Sequence, residues 1–245
     1  MNISPRRFRA GRDGVPAVRR AGACVALLAL ARLVTAPVAP AQQAPGAPDV
    51  RDLLGRAEVR YDALAALRAE FDQKIEIPLL GRERSGTGRW YQKGRGRFKM
   101  EFTEPAGDVI VADGASLWLF YPSTHPGQVI RSTIDANVTG AGMADLQGRI
   151  FEQAAAAYDA ELVGREEVEG RSTWLVSLTP RDVSPYRRVR VWIDPSDLLV
   201  RRFEIVEENE TIRTVVLRDL RPDAQIDDEV FAFTPPPGTD VFEGG

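Results

Sequence analysis

Apolar positions recur along the chain first at helical and then at strand spacing. Behind Asp49, a residue type that caps helices, Val50, Leu53, Leu54, Ala57, Tyr61 and Leu64 stand three and four residues apart. They predict an amphipathic helix running to about Leu67. From there the period is two. Ala69, Phe71 and Gln73 alternate with Glu70, Asp72 and Lys74. After a turn at Pro78 to Gly81, a strand is expected from Glu83 to Tyr91. Lys93-Gly94-Arg95-Gly96 reads as the next turn. In the clearest alternation of the chain, Phe98, Met100 and Phe102 face one way and Arg97, Lys99 and Glu101 the other. Val109-Ile110-Val111 and Leu117 to Tyr121 flank Asp113-Gly114, a hairpin signal. Gln128 to Ser132 predicts a further short strand.

Gly140 to Tyr158 interrupts this pattern. Met143, Leu146, Ile150, Ala154 and Ala157 form a helical stripe that ends in consecutive alanines, the best helix formers. Strands are then expected over Glu161–Val168, Ser172–Thr179, Arg187–Ile193, Leu198–Val206 and Thr211–Leu220, with a last short element over Asp227–Phe233. About ten strands in hairpin order, without strand–helix–strand alternation, specify a mainly β domain built on a single antiparallel sheet. A sheet of that size curls. The expected architecture is an unclosed half β-barrel under an α-helical lid. Leu53, Leu54, Tyr61 and Leu64 would form the lid's first apolar face, and Met143, Leu146 and Ile150 its second.

The alternation also places one large apolar set on the concave side: Phe71, Trp90, Phe98, Met100, Phe102, Leu117, Leu119, Trp174, Val176, Val189, Val191 and Phe203. Two readings follow. Either the helical segments fill the half-barrel and make a dry core, or they leave an apolar cavity. Their small residues (Ala57, Ala63, Ala65, Ala66 and Ala154 to Ala157) fill such a space poorly.

The first residues follow neither period. Arg19-Arg20 precedes the apolar run Ala21 to Ala31, and small residues lead to Ala39-Pro40-Ala41, an A-x-A exit. A basic flank, a short apolar run and such an exit predict a secretory leader over 1–41. The run is too short to span a bilayer. A Pro/Ala/Gly tether over 42–48 and one domain over 49–245 would follow. Cys24, the chain's single cysteine, lies at the start of the apolar run rather than after it, where a lipobox would place it. The mature chain is therefore expected to lack cysteine, which suits an oxidising compartment. The leader carries seven of the 32 basic residues and one of the 35 acidic ones, so its removal leaves a net charge of −9. That argues against nucleic acid and anionic membrane surfaces as partners.

With one His and one Cys, a metal centre or His-based triad has almost no material. No metal, cofactor or catalytic residue is expected. His125 sits in an exposed Ser-Thr-His-Pro turn. Asp194, Asp197, Glu207, Glu208 and Glu210 read as a solvated acidic surface. Gly94 and Gly96 do not form a phosphate loop, because no helix follows them.

Phe98-Lys99-Met100-Glu101-Phe102-Thr103-Glu104-Pro105, then Val109 to Gly114, then Leu117-Trp118-Leu119-Phe120-Tyr121-Pro122, resemble the periplasmic outer-membrane lipoprotein carrier family, LolA. Leu67 to Lys74, Leu178-Thr179-Pro180 and Phe231 to Gly238 resemble further family segments in the same order. The likeness spans Asp49 to Gly245. It implies an unclosed β-barrel with a helical lid over a hydrophobic cavity. It also implies a monomeric, non-enzymatic periplasmic carrier. Such a carrier takes acylated lipoproteins from an inner-membrane ABC exporter and hands them to an outer-membrane acceptor. It places the family's transfer-critical aromatic on Phe98, which starts the inner stripe and is expected at the cavity mouth. It places the basic residue that latches the lid on Lys93, or on Arg95 if the turn carries an insertion. A related carrier of another lipid, or an envelope-stress module sensing lipoproteins or lipids, are the alternatives.

Overall fold

The structure, a computed structural model, describes residues 46–94, 96–133, 151 and 154–244. Asp49 caps the first helix as expected. Its carboxylate accepts from the amides of Arg51 and Asp52 at 2.9 and 3.1 Å, and helix α1 runs over Val50–Asp62. The helix stops short of Leu67 because strand pairing takes over at Ala66, which lies opposite Lys93. Leu64 therefore falls beyond the helix. It is not part of the lid but packs in a small satellite cluster with Leu67 and Leu199.

Twelve strands follow: β1 (Ala66–Ile77), β2 (Arg82–Lys93), β3 (Arg97–Glu104), β4 (Val109–Asp113), β5 (Ser116–Phe120), β6 (Gln128–Thr133), β7 (Tyr158–Val168), β8 (Arg171–Pro180), β9 (Tyr186–Ile193), β10 (Val200–Glu207), β11 (Ile212–Pro222) and β12 (Asp240–Glu243). They form one sheet in the order β12-β6-β5-β4-β3-β2-β1-β11-β10-β9-β8-β7. The order is linear, so the barrel is unclosed, with β12 and β7 at its edges. Every pairing is antiparallel except β12 with β6, which is parallel. The purely antiparallel expectation fails there because β12 arrives from across the sheet rather than through a hairpin. A short helical turn, α2 (Ala154–Ala157), leads directly into β7, so Tyr158 opens a strand instead of closing a helix. Met143, Leu146 and Ile150, expected in the lid, and Arg95, expected as an alternative latch, lie outside the described residues.

The main core sits on the concave side, where α1 contributes Leu53, Leu54 and Ala57. The convex side carries two smaller clusters. Val168, Leu175 and Trp192 form one, and Ala66, Ile226 and Phe231 form the other. The second arises because the chain after β11 crosses the outer face as a strap. A 3-10 turn at Asp228–Phe231 buries Phe231, and Phe233 then stacks near Trp118 and Phe120 at 5.6 and 6.0 Å.

Two glycines in β2 admit this packing. A Cβ at Gly88 would lie 2.1 Å from the Glu101 carbonyl and 2.8 Å from the Phe71 ring, and one at Gly86 would lie 2.9 Å from the Phe102 ring. Both positions belong to the inward register that carries Trp90. The large rings of β1 and β3 occupy the space a side chain would need.

Candidate lipid-binding interior

All twelve residues expected on the concave face meet in one buried cluster. Trp90 is its centre. Its ring lies 4.8 Å from Phe98 and 5.7 Å from Phe203, and Phe71 meets Phe102 edge-on at 5.0 Å. The indole Nε1 of Trp90 is buried without a hydrogen-bond partner among the described residues. Phe98 is 1% exposed. It is thus not at a rim: β2 and β4 flank it on both sides, opposite Gln92 and Ala112, and Trp90 covers its face. Sequence periodicity also missed members of the same face, among them Leu178, Ile205, Val215 and Leu217. The period that revealed Phe98 and Met100 runs through each of their strands.

Among the described residues, α1 packs closely on the sheet. The void between α1 and the sheet, bounded by Tyr61, Leu67, Phe151, Val191, Val200, Phe203 and Leu217, is about 10 Å³, room for one water at most. Leu53, Leu54 and Ala57 plug the half-barrel.

Polar contacts tie α1 to the strands, among them Arg60 to Asp223 at 4.0 Å. The Val200 amide donates to the Tyr61 hydroxyl at 3.1 Å. The Tyr61 ring stacks on Phe151 with centroids 4.9 Å apart. Burial pushes the Tyr61 hydroxyl pKa up from 10.0 to about 12, opposed in part by the Val200 hydrogen bond and the Arg201 charge. Nothing in the sequence pattern separated this tyrosine from the other lid residues.

Lys93 does not latch the helix. Its ammonium donates to the Ile226 carbonyl and to the Asp228 carboxylate, both at 2.7 Å. The reason is strand parity: Trp90 and Gln92 are buried inward, so Lys93 faces outward. There it clamps the C-terminal strap, together with Arg97, which reaches Asp228 at 2.8 Å. The two cations, Lys93 first, lower the Asp228 pKa.

The acidic turn after β9 is not a solvated surface either. The Asp194 side chain is 4% exposed and pairs with Arg201, 7% exposed, at 3.0 Å and with Arg171 at 3.1 Å. Burial alone would raise its pKa. Hydrogen bonds from Ser196 and Arg201 and the Arg201 charge outweigh that and bring it down to about 2. Arg201 also binds Asp197. This ion cluster fixes the β9–β10 corner that presents Val200 to Tyr61. His125 is exposed, as expected.

A family model described as outer membrane lipoprotein carrier protein LolA matches residues 62–234. The chain is similar to the outer-membrane lipoprotein carrier protein of Chromobacterium violaceum, at 24% identity over 198 residues, 81% of this chain and 91% of that protein. The protein of the same name from Alkalilimnicola ehrlichii is 29% identical over 186 residues, 76% of this chain and 81% of that protein. An uncharacterized conserved protein from Thermus thermophilus shares the fold with a TM-score of 0.50 at 14% identity, over 79% of this chain and 98% of that one.

Proposed function

The chain belongs to the LolA family of outer membrane lipoprotein carrier proteins, and on that premise we propose that it carries the acyl chains of lipoproteins across the periplasm. The observation that supports this reading is the continuous apolar inner face of an unclosed sheet, covered among the described residues by a short helix rather than by a second sheet. The leader over 1–41 would be removed on export, the tether would follow, and residues 49–245 would act as a monomer. Lipoproteins would arrive from an inner-membrane ABC exporter and leave to an outer-membrane acceptor.

Magnitudes suit a carrier that works without chemistry. Burying each methylene is worth ~0.8 kcal/mol, so a ~16-carbon chain exposed to water carries about 12 kcal/mol of unfavourable hydration. Displacing α1 uncovers chiefly Leu53 and Leu54, at about 1.5–3 kcal/mol each. One acyl chain therefore outweighs the two leucines it would displace. Release needs only an acceptor that binds the chain somewhat better. Incubating the mature protein with spheroplasts that hold a radiolabelled lipoprotein tests the reading. The labelled cargo should leave the membrane and co-purify with the protein; cargo that stays in the membrane counts against it.

A further inference from the structure

The inward register does not stay apolar to the end of the barrel. In β1 the sequence of inward positions runs Phe71, Gln73, Ile75. Arg84 of β2 and Arg213 of β11 each lie directly opposite Ile75. Residues paired across antiparallel strands share a face, so two arginines flank Ile75 on the concave side. Gly86, the next inward position of β2 after Arg84, contributes no side chain. The result is a pocket of about 270 Å³ at this end of the sheet, close to the lower bound for ligand sites of about 300 Å³. Phe102, Pro105 and Tyr121 supply its apolar wall, and His125 lies at its lining.

Of the two arginines, Arg84 is the one whose charge is unmatched. Arg84 makes no ion pair among the described residues. Arg213 donates to Gln73 at 3.0 Å, pairs with Glu207 at 4.0 Å and hydrogen-bonds the Tyr121 hydroxyl. The pocket's one carboxylate, Asp108, is already committed to the Ser123 amide at 3.0 Å and the Ser123 hydroxyl at 2.6 Å. A planar guanidinium suits the two oxygens of a carboxylate or phosphate.

We propose that this pocket binds an anionic amphiphile, with its carboxylate or phosphate head between Arg84 and Arg213 and its apolar body against Phe102, Pro105 and Tyr121. The inference stands apart from the carrier reading, since it concerns a polar end of the barrel and not the buried interior.

His125, the chain's one histidine, makes the site observable. Its imidazole resonances are followed in the mature protein during titration with decanoate, decyl phosphate, decanol and inorganic phosphate. The two anionic amphiphiles should give a saturable shift, and the pair Arg84→Gln and Arg213→Gln should weaken both at least tenfold. Arg84→Gln alone, which touches an exposed side chain, should weaken them at least threefold; this variant decides the matter if the double variant fails to fold. Decanol acting like decanoate, inorganic phosphate binding as tightly as decyl phosphate, or an Arg84→Gln variant with unchanged affinity would each overturn the proposal. Lipoprotein release from spheroplasts by Arg84→Gln should equal that of the unaltered protein, which separates a failure here from a failure of the carrier reading.

Discussion

The Tyr61 hydroxyl accepts a hydrogen bond from the Val200 amide at 3.1 Å, joining the lid helix to the first residue of β10. Tyr61→Phe keeps the ring stacked on Phe151 but leaves the Val200 amide unpaired, at a cost of about 1–3 kcal/mol. Because that cost falls on the closed state, the variant should take up an apolar probe such as bis-ANS at lower concentration than the unaltered protein. Fluorescence titration of the two proteins, with thermal melts as control, checks this. Unaltered uptake would mean the bond does not hold the lid.

Alkaline titration offers a second check on the same contact. The folded pKa of Tyr61 is raised from 10.0 to about 12. Its contribution is therefore complete below pH 10 and is lost as the pH rises through about 12, where the unfolded chain holds fewer protons. Burial also raises the Tyr121 pKa, so tyrosinate absorbance should show more than one tyrosine titrating late, and Tyr61→Phe should shrink that late step rather than abolish it.

Lys93→Ala separates a latch from a clamp. Its partners are Ile226 and Asp228 on the convex strap. The substitution should increase proteolysis of the C-terminal segment and lower the melting temperature slightly, with bis-ANS uptake unchanged. Uptake raised to the level of Tyr61→Phe would return Lys93 to the lid.

Strand alternation made the inner face legible because side chains of a half-buried strand repeat every two residues. Phe98, Met100 and Phe102 needed no other information, and the turns at Pro78 to Gly81 and Asp113-Gly114 needed only their own residue types. What escaped depended on distant partners. The helix signal ran on through Leu64 because nothing local reports that Ala66 pairs with Lys93. Asp194 sits in a turn-like Asp-Pro-Ser-Asp segment, and its burial follows from Arg171 and Arg201 converging on it. Strand β12 lies beyond a run of prolines and pairs with β6 from across the molecule. Likeness to the family points to Lys93 as a latch, whereas the parity of Trp90 and Gln92 places it on the outer face.

Asp194→Ala should be strongly destabilising. Breaking a buried ion pair costs about 3–5 kcal/mol, and the surviving Asp197 contact should keep the loss near the lower bound. The depressed pKa gives a sign as well: stability tied to Asp194 is present above the ordinary value of 3.8 and lost as the pH falls through about 2. Urea unfolding at several acid pH values should show that dependence, and Asp194→Ala should flatten it.

The core itself should tolerate no charge and little added bulk at its contacts. Phe98→Glu should fail to fold, since Phe98 is 1% exposed against Trp90. Gly88→Ala should destabilise far more than Gly55→Ala, whose added Cβ meets nothing within 4 Å. Circular dichroism melts decide both. A folded Phe98→Glu protein would place that residue at an opening after all.

A lipoprotein carrier must open its apolar interior to acyl chains. Displacement of bound bis-ANS by a triacylated lipopeptide measures that opening, with tryptophan emission recorded alongside. The same peptide without acyl chains serves as control. Saturable displacement and a shift in tryptophan emission are expected with the acylated peptide alone. No saturable displacement, or equal displacement by both peptides, would contradict that opening and leave the half-barrel as a permanently filled core.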